Sequence, residues 1–72
     1  MDKAALIAVK HLEAGGHVIQ VELYRNECGT VAAWCRLGDD VPIIDGPSAD
    51  EVLKAVEDCL EGLLLARALR AA

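Results

Sequence analysis

The sequence predicts an α+β domain of order α-β-β-β-α, a three-stranded antiparallel sheet with two helices packed on one face. Apolar residues recur at helical spacing near both ends of the chain. Through the middle they alternate with a period of two, and glycine-containing turns separate the alternating runs.

Residues 2–14 are expected to form the first helix. Ala4, Ala5, Leu6, Ala8 and Leu12 are strong helix formers. Ala5, Ala8, Val9 and Leu12 share one helical face at i, i+3, i+4 and i+7. Gly15-Gly16 then reads as the stop, because glycine accepts the left-handed conformation that follows many helix ends.

Residues 17–25 alternate, with Ile19, Val21 and Leu23 on one face and Val18, Gln20, Glu22 and Tyr24 on the other. Asn26 to Gly29 reads as a turn. Residues 30–37 make the second strand, with Val31, Ala33, Cys35 and Leu37 inward and Thr30, Ala32, Trp34 and Arg36 outward. A turn at Gly38-Asp39-Asp40 leads to a short third strand over 41–44. Pro42 has no amide hydrogen, so that strand belongs at an edge or leaves a ladder position unpaired.

Asp45-Gly46-Pro47 reads as a break, and Ser48 with Glu51 as the capping box of a second helix over 48–70. Its apolar stripe is Val52, Val56, Cys59, Leu60, Leu63 and Ala66. Asp50 and Glu51 suit the positive end of the helix dipole, and Arg67 and Arg70 the negative end.

Composition narrows the function. A chain of 72 residues is read as one domain, 1–72, and 54% hydrophobic residues argue against disorder. With one Trp, one Tyr and no Phe, the core falls to Leu, Val, Ile and Ala. Small cores of that kind often rely on a partner copy. The net charge of −5, with scattered Lys and Arg, disfavours nucleic-acid binding. No apolar run approaches a membrane span, and no secretory pattern opens the chain. Three cysteines, an odd number, fit thiols in a reducing cytoplasm.

The sequence offers little chemistry. His11, His17, Cys28, Cys35 and Cys59 lack metal-ligand spacing. Cys28 stands beside Glu27, whose charge opposes thiolate formation. Asp39, Asp40 and Asp45 read as turn formers, and Gly15-Gly16 lacks the rest of a phosphate loop. No enzyme, metal or cofactor is expected.

What remains after the core is built is surface. The far side of the sheet would carry Val18, Glu22, Tyr24, Trp34, Arg36 and Ile44. Tyr24 and Trp34 are expected to anchor a protein partner, with Val18 and Ile44 as apolar surround and Glu22 and Arg36 as a polar rim. The second helix should overhang the sheet and expose Leu65 and Leu69, a candidate self-association surface for a homodimer. The expected function is therefore a non-enzymatic interaction module, such as a small acidic regulator or inhibitor. One alternative is nucleic-acid binding through Tyr24, Arg25, Trp34 and Arg36, since aromatics flanked by Arg can hold single strands. Another is a small homodimeric structural protein.

Two resemblances accompany this reading. The α-β-β-β-α order resembles that of double-stranded RNA-binding domains, which implies RNA as partner. That family opens its last helix with a basic cluster, where this chain has Ser48-Ala49-Asp50-Glu51. The stretch Gly46-Pro47-Ser48-Ala49-Asp50-Glu51-Val52-Leu53 is similar to the strand-to-helix junction of HicB-type antitoxins, which implies an antitoxin-like role.

Overall fold

The computed structural model describes residues 4–71, with side chains described as far as Leu69. Its elements are β1 (Ala5–Ala14), β2 (His17–Arg25), β3 (Val31–Arg36), β4 (Ile43–Gly46) and α1 (Ala49–Ala71). The strands form one antiparallel sheet in the order β1-β2-β3-β4. The class is α+β, but the sheet has four strands and there is one helix. The expected three-stranded sheet with two helices is thereby corrected, and so is the topological likeness to double-stranded RNA-binding domains, which needed a helix first.

The correction falls on β1, where a helix was expected; residues 2 and 3 of that helix lie outside the described residues. Ala14 pairs with His17, so Gly15 and Gly16 are a two-residue hairpin turn rather than a helix stop. Both have positive φ, 57° and 79°, which is the geometry that lets a tight turn follow the twist of its strands. Ala8, Lys10 and Leu12 lie opposite Leu23, Val21 and Ile19, and the register shifts between Leu6 and Ala8, leaving Ile7 as a bulge. The alanines tolerate either conformation. β-Branched Ile7 and Val9 favour the strand, and β2 supplies a ready ladder.

β2 and β3 form where alternation predicted them. Beyond β3, Leu37 and Asp40 exchange backbone hydrogen bonds of 2.9 and 3.3 Å across Gly38-Asp39. The same register continues to Trp34 opposite Ile43 and Val31 opposite Gly46. Pro42 accepts from the Cys35 amide at 3.0 Å but cannot donate in return. This gap interrupts the ladder, so the third expected strand begins at Ile43 and absorbs Asp45-Gly46, which had read as a break. Pro42 does stand at the margin of an edge strand, where its missing donor matters least.

Ser48 caps α1. Its hydroxyl accepts from the Glu51 amide at 3.4 Å, and its carbonyl from the Val52 amide at 3.0 Å. The helix packs chiefly on β3 and β4. Val52, Val56 and Leu60 meet Val21, Leu23, Val31, Ala33, Cys35 and Leu37, with Leu12 and Ile44 at the border. Among the described residues no polar or charged residue is buried. The helix is about 34 Å long at 1.5 Å per residue. Its last turns pass beyond the core, and Leu65 and Leu69 stand exposed at 62% and 69%. Arg67 lies over the Gly38 turn, with its guanidinium standing where a Cβ at Gly38 would be.

Candidate interaction surface

The open face of the sheet follows from the registers, because directly paired residues point to the same side. One row across the strands is Leu6, Tyr24, Ala32 and Asp45. The next is Val9, Glu22, Trp34 and Ile43. Then come His11, Gln20 and Arg36, and finally Glu13 and Val18. The other face is the one under α1.

Glu22 is the polar centre. Its Oε1 accepts from the Arg36 guanidinium at 2.8 Å and from the Tyr24 hydroxyl at 3.0 Å. Its Oε2 accepts from the Gln20 amide at 3.0 Å. The ring centroids of Tyr24 and Trp34 are 5.2 Å apart at a tilt of 52°. The Arg36 guanidinium sits 5.7 Å from the Trp34 centroid, within the range of a cation–π contact. These groups hold one another's charges and hydrogen bonds. The hydrogen bond from Arg36, and then that from Tyr24, keeps the Glu22 carboxyl below its ordinary range. The same bond to Glu22 raises the Tyr24 phenol.

Apolar side chains flank this centre on both sides. Leu6 and Val9 on β1 are 54% and 44% exposed, and Ile43 on β4 is 55% exposed. Charged groups already paired within the protein need less new compensation when a partner displaces water above them.

The structure therefore brings Glu22, Tyr24, Trp34 and Arg36 together on the open face. Val18 shares that face but lies four residues along β2 from Glu22, about 14 Å away at strand rise. Ile44 is corrected: it pairs with Ala33 and packs against the core, so Ile43 takes the place next to Trp34. The cause is parity. The two-residue turn at Gly38-Asp39 sets the register, and a shift of one residue exchanges the faces. Arg25 alternates onto the helix side, apart from Tyr24, Trp34 and Arg36. Leu65 stays at the helix overhang, where with Leu64, Gly15 and His17 it borders a depression of about 490 Å³.

Leu6, Val9 and Ile43 were not expected on this face. The first two were assigned to a helix, although the alternation Val9, His11, Glu13 was there to be read. The three cysteines form no disulfide. Burial, and then the neighbouring Cys59, raises the Cys35 thiol, so it is a poor nucleophile. Among the described residues no three His, Cys, Asp or Glu side chains gather as a metal site would require. Nor is any helix there long and apolar enough to cross a membrane.

Fold and surface together define a small α+β protein, a four-stranded antiparallel meander backed by one helix. No protein-family model, no curated protein and no solved structure matches the chain.

Proposed function

We propose that this is a non-enzymatic protein-interaction module that binds another protein through the open face of its sheet, in the cytoplasm. The observation that carries the reading is the layout of that face. Exposed Leu6, Val9 and Ile43 flank a centre that already satisfies its own polar groups and holds both aromatics. Interfaces commonly combine aromatic anchors and arginine with an apolar surround. The finer form of the reading is a small acidic regulator or inhibitor that acts by occupying its target.

A photo-crosslinking residue placed at Ile43, and separately at Glu57 on the helix, tests this in cells. Ile43 should yield a discrete adduct with another protein that Trp34→Ala removes. Equal adducts from both positions, or adducts indifferent to Trp34→Ala, would refute the open face as the binding surface.

A further inference from the structure

The two edges of the sheet are unlike. β4 has four residues, follows Pro42 and carries Asp45, all features that discourage further pairing. β1 has ten residues, without proline or glycine, and one bulge near its start. Ladder alternation settles which of its backbone groups are spoken for. Asn26 donates to Thr30 at 2.8 Å, which makes the alternating pairs from Tyr24–Ala32 to Gln20–Arg36 the hydrogen-bonded ones between β2 and β3. Ile19, Val21 and Leu23 must then bond to Leu12, Lys10 and Ala8. The amides and carbonyls of Val9, His11 and Glu13 point away from the sheet, along its outer edge.

We propose that this edge pairs antiparallel with β1 of a second copy, about a two-fold axis at His11, and joins two four-stranded sheets into one. In that register Val9 faces Glu13 of the second copy and His11 faces its own counterpart. All three outward residues of each copy then find partners. Shifting the axis to Lys10 would set two lysines directly opposite each other, which costs energy.

Charge selects the same register. Lys10 lies on the helix side of the sheet, because it pairs with buried Val21. About the His11 axis, Lys10 of the second copy comes beside Leu12. Leu12 borders a depression of about 290 Å³ whose rim on the helix side carries Glu57 and Glu61. Each copy thus offers one cation to the other's acidic margin, and the arrangement is reciprocal, as a two-fold interface requires. A chain of net charge −5 needs such a contact to approach its own copy. The joined sheet also extends the open face across both copies, since a two-fold axis perpendicular to the sheet keeps both helices on one side.

Solution mass by light scattering over a wide concentration range is the test, with far-UV circular dichroism to confirm folding. The wild type should be a dimer. Lys10→Glu should weaken it at least tenfold, and adding Glu61→Lys should recover part of the loss. His11→Pro removes an outward amide that β2 does not use, and should give folded monomer. Leu65→Asp should remain dimeric. Hydrogen exchange at the amides of Val9, His11 and Glu13 should slow as concentration rises. A wild type that stays monomeric at the highest concentration overturns the proposal. So does a dimer that Leu65→Asp dissociates and Lys10→Glu does not. Neither outcome bears on cross-linking from Ile43, which lies at the opposite edge.

Discussion

The two faces of the sheet answer the same question in opposite ways. On the helix side Val21, Ala33 and Cys35 are wholly shielded, and no polar side chain is buried among the described residues. On the open side one carboxylate gathers three donors, from Arg36, Tyr24 and Gln20, while Val9 and Ile43 remain in water. The same four strands, read at even and odd positions, carry both. The covered face holds the chain together, because burial of apolar area is the main favourable contribution in a domain this small. The open face contributes little to that and is free to be shaped for contact.

The contrast is broken most strongly from the covered side. Leu23→Ala removes a side chain that is only 1% exposed and leaves a hole under α1. It should cost about 2–5 kcal/mol in urea titrations. Ile43→Ala, on the open face, should stay within about 0.5 kcal/mol of wild type. Thiol labelling supplies an independent readout. Cys28 is exposed and should react first, whereas Cys35 should wait for the sheet to open. Leu23→Ala should accelerate Cys35 labelling and leave Cys28 unchanged. Equal costs for Leu23→Ala and Ile43→Ala would mean that the two faces do not differ in this way.

A smaller effect tests how β1 came to be a strand. Gly16 has φ of 79° and open space where a side chain would stand, so Gly16→Ala would suffer from backbone conformation alone. The expected cost is about 1–2 kcal/mol, read as a lower urea midpoint with an unchanged slope. A neutral result would show that the hairpin tolerates another turn.

That hairpin also explains how far the sequence could be read. β2 shows strict alternation, and α1 carries a serine cap ahead of an apolar stripe. In both, local preference and tertiary packing agree, and the expected elements form. In β1 they conflict. Ala5, Ala8, Val9 and Leu12 make a helical face, while Ala8, Lys10, Leu12 and Ala14 make one side of a strand, and alanine suits both. Gly15-Gly16 serves equally as a helix stop or a hairpin turn. Only pairing with β2 decides, and that lies outside local sequence. The candidate surface inherits the split: Glu22, Tyr24, Trp34 and Arg36 follow from parity within β2 and β3. Leu6 and Val9 could not be placed while β1 was read as a helix. Ile43 replaces Ile44 because the turn at Gly38-Asp39 has two central residues rather than three.

The smallest expected effect lies on the open face and depends on pH. The hydrogen bond from Arg36, followed by that from Tyr24, holds the folded Glu22 carboxyl below its ordinary value of 4.5. A carboxyl depressed on folding adds stability above its unfolded pKa and loses it as pH falls through the folded one. The contribution of Glu22 should therefore be constant near neutrality and fade below about pH 4.5, the ordinary value. Glu22→Gln keeps the shape and removes the charge. Its deficit against wild type in thermal melts should be steady from pH 7 to 5 and shrink toward pH 3. A deficit independent of pH across that range would mean that shape and neutral hydrogen bonds, rather than the ion pair with Arg36, organise the centre of the face. The partnered carboxylate would then be incidental to how Tyr24 and Trp34 are held.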